Sequence, residues 1–232
     1  MLYLILIIML SVCRGKFLAK YSTHLPKQAK FKNLLTSNDY PIVFGIGPSG
    51  TGKTLMATYE AINGFENNMY KKIIITRPAI TAGEDLGYLK GDIKDKMLPY
   101  IQPILDYFLD YYTKNQIDIM IANNQLEIAP LAYLRGRTFK NSYIIADEIQ
   151  NSTPTQLKML LTRIGNNSKI VVLGDTEQSD LGPHNGLVDF LNRINLKNEP
   201  YEIYENGFGI VTFDNSYIQR HKIIEKIIEI YS

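Results

Sequence analysis

The residues Gly47-Pro48-Ser49-Gly50-Thr51-Gly52-Lys53-Thr54 constrain this chain more than any other stretch, because they fit G-x-x-x-x-G-K-[ST] in the setting that pattern needs. Ahead of them Pro41-Ile42-Val43-Phe44 reads as a short buried strand, and behind them Leu55 to Ile62 is good helix-forming sequence. Strand, glycine-rich turn and helix start together make an anion cradle. The glycines let the backbone curl until several N–H groups and the positive end of the helix dipole face one phosphate. In that arrangement Lys53 lies against the β- and γ-phosphates and the Thr54 hydroxyl holds Mg²⁺. With glycine near 7% of residues, the bare pattern arises by chance in roughly one chain of this length in a hundred, and the flanking strand and helix lower that further.

A cradle alone hydrolyses nothing. Phosphoryl transfer also needs a carboxylate beside Mg²⁺ and a group that orients the attacking water. Tyr143-Ile144-Ile145-Ala146-Asp147-Glu148 offers both, as an apolar strand that ends in two acids at the edge where open α/β sheets bind ligands. Asp147 suits the metal shell and Glu148 the general base. In isolation such a pair is as readily a solvated strand end, and it is the cradle that tips the reading toward chemistry. Gln178, in the polar stretch Gly174 to Asp180 after another Ile/Val strand, is either a γ-phosphate contact or part of an ordinary turn.

Strand candidates run over Pro41–Phe44, Lys72–Thr76, Leu126–Pro130, Ser142–Asp147, Lys169–Asp175, Tyr201–Tyr204 and Ile210–Phe213. Helices are expected over Thr54–Gly64, Pro103–Tyr112, Pro154–Leu161 and Leu187–Arg193, with a last one from about Ser216 whose Ile224, Ile227, Ile228 and Tyr231 form an apolar stripe. Near-continuous runs such as Ile170-Val171-Val172-Leu173 suit strands covered on both faces, hence a mainly parallel sheet in an α/β fold. The 232 residues suffice for one domain with a full core. A formal net charge of +2, without a run of like charges, restricts nucleic-acid binding to a local patch. The single cysteine, Cys13, excludes an intramolecular disulfide framework, and with three histidines it argues against structural zinc. Leu2 to Val12 is apolar and followed by Arg14, Lys16 and Lys20. It is short for a membrane span, and reads as an export signal core, a terminal helix packed on the domain, or sequence upstream of a true start at Met9. A cytoplasmic location is expected, since ATP is available there, and no membrane partner is expected.

Several blocks then occur in order. They are Phe44-Gly45-Ile46-Gly47 leading into the cradle, Thr76-Arg77-Pro78-Ala79, Ala82-Gly83-Glu84, Leu86-Gly87, Gly91-Asp92, and Ile128 to Thr138 with Arg135-Gly136-Arg137 inside it. Asp147-Glu148-Ile149-Gln150-Asn151, Leu161-Thr162-Arg163-Ile164-Gly165, and Gly174-Asp175 through Gln178 to Leu181 follow. Together they resemble the PhoH-like ATPases, which share their core with the N-terminal RecA-like half of superfamily-one helicases. The resemblance covers about Leu25 to Tyr231, dividing the chain into an apolar segment over 1–24 and an ATPase domain over 25–232.

The resemblance implies a three-layer P-loop NTPase (RecA-like) fold that takes ATP and Mg²⁺. By it Gln28 matches the adenine contact, Gly47 through Thr54 the phosphate loop, and Thr54 and Asp147 the Mg²⁺ ligands. Lys53, Glu148 and Gln178 match the catalytic groups, and Arg77 a contact to nucleic-acid backbone. Arg135 and Arg137 belong to a characteristic block of less defined chemistry, and with Lys90 they are the further strand candidates, while Tyr88 and Tyr133 are available to stack bases. Ile149 and Ala146 stand where the family usually has other apolar residues, which leaves the acids intact. Helicases close ATP between two RecA-like halves and this chain has room for one, so a homo-oligomer is expected, a hexameric ring by the resemblance. In it a neighbour donates an arginine, Arg163 or Arg220 first, with Arg135 and Arg137 behind them. The expected function is ATP hydrolysis coupled to RNA or single-stranded nucleic acid, with unwinding as its extension, by a bare motor that shows no added nuclease or RNA-binding motif. The alternative is a small-molecule kinase that uses Leu86 to Met120 as a lid, although its Tyr/Leu/Ile-rich helices read as packing surface. A GTP switch is disfavoured by the lack of N-K-x-D.

Overall fold

The computed structural model describes residues 25–78, 93–194, 203–204 and 207–218. The 1–24 segment, Tyr88, Lys90, Arg220 and the C-terminal apolar stripe lie outside the described residues.

Because successive strand residues point to opposite faces, a strand apolar on both must be covered on both. That is how this chain is written. Ile73, Ile75, Tyr143, Ile145, Val171 and Leu173 enter one core, while Ile74, Ile144, Ala146, Ile170 and Val172 enter a second. The strands are β1 (Ile42–Ile46), β2 (Lys72–Arg77), β3 (Leu126–Pro130), β4 (Ser142–Ala146), β5 (Lys169–Gly174), β6 (Ile203–Tyr204) and β7 (Phe208–Thr212), in the order β3-β2-β4-β5-β1-β7-β6. All pairings are parallel except that of β6 with β7 at the edge. Helices on the two faces complete three layers of a mainly parallel α/β fold.

The first core is covered by α1 (Pro26–Thr36), α2 (Lys53–Glu66), α3 (Ile93–Leu109) and α4 (Lys114–Ala122), and the second by α5 (Pro154–Leu161) and α6 (Gly186–Arg193). Helix α5 starts at a capping box in which Thr153 and Gln156 satisfy each other's backbone N–H groups. Helix α3 begins ten residues ahead of its expected start and runs through Pro99 and Pro103. Two interior prolines cost about 3 kcal/mol each. Burying Met97, Ile101, Ile104, Leu105 and Phe108 on one face, at roughly 1.5–3 kcal/mol per side chain, outweighs that. Beyond β7, Asn215–Tyr217 form a 3₁₀ turn capped by Asp214 where the last helix was expected to begin.

This order places the site. Strand β5 lies between β1, which feeds the glycine loop, and β4, which ends at Asp147. The loop after β5 therefore emerges between the two halves of the expected active centre.

Candidate active site

The glycine loop is shaped by close backbone contact. Gly47 has φ +130, and a Cβ there would lie 2.2 Å from the Phe213 carbonyl oxygen, so no side chain is tolerated. The N-cap of α2 is Gly52, which offers no side chain to the first-turn N–H groups, and those groups stay available to an anion. Thr51 is buried beneath the loop, where its hydroxyl donates to the Pro48 carbonyl at 3.1 Å. Lys53 curls over the loop and donates from Nζ to the carbonyls of Gly47 (2.5 Å) and Pro48 (2.7 Å). An arriving phosphate competes with neutral carbonyls for this ammonium, and a charge-assisted bond is the stronger.

Across the cleft, Thr54 Oγ1 donates to Asp147 Oδ1 at 3.4 Å, joining residues far apart in sequence. The backbone N–H of Asp147 bonds to the Thr76 carbonyl at 3.0 Å, fixing the end of β4 against β2. Asp147 is buried, and burial first and the Glu148 charge second push its carboxyl up to about 6, with Arg77 and Lys53 acting in the opposite sense. A hydroxyl and a carboxylate oxygen are the hard donors Mg²⁺ takes, and that ion is ordinarily held by one or two protein oxygens plus phosphate and water. Thr54 and Asp147 fit it.

Glu148 sits in the left-handed region (φ 55, ψ 39), which costs a non-glycine residue roughly 1–2 kcal/mol. Its carboxylate is engaged at both oxygens. Oε1 pairs with Arg77 Nη2 at 3.0 Å, and Oε2 accepts from Gln150 Nε2. Arg77 also donates from Nη1 to the Tyr100 carbonyl on α3, and Gln150 Oε1 accepts from the Asp175 N–H at 3.1 Å. A chain of contacts thus runs from α3 through Arg77, Glu148 and Gln150 to the end of β5.

These parts enclose a cavity of about 490 Å³. Ser49, Gly50, Gly52, Lys53 and Thr54 form its floor, Asp147, Glu148 and Arg77 one wall, and Gly174, Asp175 and Gln178 another. Tyr100, Pro103, Ile104 and Tyr107 of α3 complete it. This region, expected to be packing surface, both packs the core and walls the cavity. The signal was the spacing 100, 103, 104, 107, which marks one helical face.

The remaining sequence candidates lie elsewhere. Gln28 does not line the cavity; its amide is buried under the loop, with Nε2 donating to the Thr51 carbonyl at 3.1 Å. Arg137 is held bidentate by Glu127 (2.5 and 2.8 Å), with its guanidinium 4.9 Å from the Phe139 ring centroid. Lys72 binds the same carboxylate at 2.5 Å. The Arg137 hydrogen bond, then Lys72, hold Glu127 down at about 2, against burial acting in the other direction. Arg135 and Arg163 line a separate groove of about 590 Å³.

The parallel three-layer sheet, with a G-x-x-x-x-G-K-[ST] loop at its C-terminal edge and an acidic pair facing it, defines a P-loop NTPase domain. The comparisons then identify which kind. The PhoH-like protein family matches residues 22–232. A PhoH-like protein of Bacillus subtilis (strain 168) is 40% identical over 233 residues, covering 93% of this chain and 69% of that protein. One of Synechocystis sp. is 37% identical over 205 residues (88% and 60%), and Protein PhoH of Escherichia coli K12 is 35% identical over 215 (88% and 57%). The chain belongs to the PhoH-like family. It spans less than two thirds of the length of the last two relatives. Among solved structures, the N-terminal domain of the DNA packaging ATPase from bacteriophage phi29 aligns with a TM-score of 0.49 and 15% identity over 83% of this chain and 97% of that one, a likeness too slight to carry any weight. Among the described residues no helix is long and apolar enough to cross a membrane.

Proposed function

We propose that this chain binds ATP with Mg²⁺ in the 490 Å³ cavity and hydrolyses it, and that turnover is coupled to RNA or single-stranded nucleic acid in a homo-oligomeric ring. The observation that carries the reading is the convergence of Lys53, Thr54, Asp147, Glu148 and Gln178 on one cavity, from three loops at one sheet edge. Mg²⁺ held by Thr54 and Asp147 would supply neutralisation of the phosphate charge. Lys53 leaves the loop carbonyls for the β- and γ-phosphates. Glu148 orients water and accepts its proton, and Gln178 reaches the γ-phosphate. Gln28, buried under the loop and bonded to the Thr51 carbonyl, braces the loop; the adenine contact expected of it would require its amide to leave that position. A neighbouring copy donates the missing arginine, which in related chemistry is worth about 10³–10⁵ in rate.

A kinase reading needs a lid rich in arginine. Among the described residues Arg77 alone brings a guanidinium to this cavity, and it is already bound to Glu148 and Tyr100. Hydrolysis is therefore preferred.

The test is the ATPase rate of wild type and Glu148→Gln, with and without single-stranded RNA and DNA, beside a mass measurement of the assembly. Glu148→Gln should bind ATP, stay assembled and turn over about 10²–10⁴-fold more slowly. A rate indifferent to RNA and DNA at every salt concentration removes the strand coupling. Full-rate hydrolysis by a strict monomer removes the ring.

A further inference from the structure

The R-G-R block presents two arginines that the fold sends to different places. Gly136 adopts φ +78, and a Cβ there would meet nothing within 4 Å, so backbone conformation, not crowding, calls for glycine. The reversal separates its neighbours. Arg137 turns inward to Glu127, while Arg135 is exposed on the rim of a groove formed with α5.

That groove, of about 590 Å³, gathers Arg135, Lys158 and Arg163, and among the described residues no acid lines it. Thr155, Thr162 and Gln156 supply neutral polar groups. Three cations without a counter-charge repel one another, an arrangement that an anionic ligand relieves. A second observation points the same way. Arg163 Nε is buried and has no hydrogen-bond partner among the described residues, although Nη2 reaches Thr162 Oγ1 at 3.2 Å. A buried donor left unpaired is costly, about 1–3 kcal/mol, and it belongs to one of the three cations that line the groove. Tyr133, in the turn just before Arg135, is 58% exposed, the largest exposure among the large hydrophobic side chains of the described residues. It does not itself line the groove but stands in sequence between Ala132 and Arg135, which do; single-stranded nucleic acid combines cations for its phosphates with exposed aromatic rings for its bases.

We propose that this groove is a phosphate-backbone site for single-stranded nucleic acid, with Lys158 and Arg163 joining Arg135 and with Tyr133 as a stacking platform. The inference rests on the strand-coupled reading above and gives it a location. It assigns Arg163 to the strand, which leaves Arg220 as the sequence candidate for the arginine donated in trans. It also removes Arg137 from the strand contacts. The groove is connected to the chemistry by chain continuity, since α5 begins shortly after Glu148 and Gln150.

The test is fluorescence anisotropy of labelled single-stranded RNA and DNA oligonucleotides against the full chain, with the salt dependence recorded. Wild type is compared with Lys158→Glu, Tyr133→Ala and the triple variant Arg135→Ala/Lys158→Ala/Arg163→Ala. Lys114→Glu, an exposed charge on α4, is the control. Thermal melts establish that each is folded. Expected are losses of about tenfold or more in the charge variants and a log–log salt slope shallower by about 2 in the triple variant, at roughly 0.7 per phosphate released from a single strand. Lys114→Glu, which does not line the groove, should stay within about twofold. Unchanged strand affinity in the groove variants, with wild type binding well, overturns the groove and leaves the strand-coupled reading standing. No binding by wild type overturns both. Variants that lose turnover and assembly but keep strand affinity would show that the groove faces a neighbouring copy's nucleotide, which also overturns the proposal.

Discussion

The bridge between Arg77 and Glu148 gives the sharpest prediction. Arg77 Nη2 lies 3.0 Å from Glu148 Oε1, and the side chains are 16% and 39% exposed. At an effective dielectric near 20 the attraction is about 5 kcal/mol before desolvation, and for a pair this accessible the net is nearer ~1–2 kcal/mol. That is worth about a 5–30-fold preference for one carboxylate position, and misplacing a catalytic group by an ångström can itself cost about 10²-fold. Arg77→Ala should therefore lower kcat by about 10–100-fold while ATP affinity changes by less than about threefold, the signature of a group acting on the chemical step. If Arg77 works by holding Glu148, the loss disappears once Glu148 is gone. Arg77→Ala in a Glu148→Gln background should then cost no more than about threefold further. The assay is phosphate release at saturating Mg²⁺ and ATP for the four proteins of the cycle, with nucleotide affinity read by fluorescence. Multiplying losses would refute the reasoning. They would mean that Arg77 acts on phosphate or strand in its own right, as its resemblance to a backbone-contacting motif suggests.

Gly47→Ala places a Cβ 2.2 Å from the Phe213 carbonyl at a φ of +130. It should abolish ATP binding and cost about 2–4 kcal/mol, read as a fall of roughly 5–15 °C in Tm. Glu127, held at about 2 against an ordinary 4.5, contributes stability that is complete above 4.5 and lost as pH falls from there towards 2. Urea unfolding at pH 7 and pH 3 should show Glu127→Gln weaker than wild type by about 1–2 kcal/mol at pH 7, with most of that difference gone at pH 3. Lys169 is buried, donates to the Leu34 and Ser37 carbonyls at 2.9 and 2.7 Å, and is lowered by burial to about 8. Between about 8 and 10.5 the unfolded chain binds more protons at this residue. The stability of wild type relative to Lys169→Met should therefore rise across that window, by up to ~3 kcal/mol; a flat difference would show that this lysine keeps its ordinary affinity for protons.

Much of the architecture was legible in the sequence. Every expected strand is present within a residue or two, except that only Ile203–Tyr204 of the expected Tyr201–Tyr204 lies among the described residues. Runs such as Ile170 to Leu173 admit no other environment than a sheet buried on both faces. Helices α1 and α4 were missed for different reasons. The sequence of α1 is lysine-rich, with only Phe31, Leu34 and Leu35 to mark a buried side, so its pattern is weak. Helix α4 carries a start signal in its Thr113/Gln116 capping box, but it is short and only Ile117 and Met120 mark its buried side. In α3 Pro103, a residue that locally favours a helix start, lies inside the helix because tertiary burial overrides its local cost.

At the site, the glycine loop with Lys53 and Thr54 could be read directly, and it was the loop that gave the Asp147–Glu148 pair its meaning; the structure brings them to one cavity. Pairings across the sheet could not be read that way. Nothing in the local sequence says that Arg77 reaches Glu148, that Glu127 takes up Arg137, or that Gln150 spans from Glu148 to the backbone of Asp175. Those contacts depend on which strands become neighbours, and the order β2-β4-β5-β1 is fixed only by the whole core.

The most direct measurement is the location of the divalent cation. Crystals grown with Mn²⁺ and a non-hydrolysable ATP analogue would show it by anomalous scattering. The expected result is a peak between Thr54 Oγ1 and the Asp147 carboxylate, with the triphosphate wrapped by Gly47 to Thr54. A nucleotide bound away from that loop, or a metal remote from Asp147, would contradict the proposed chemistry at its root.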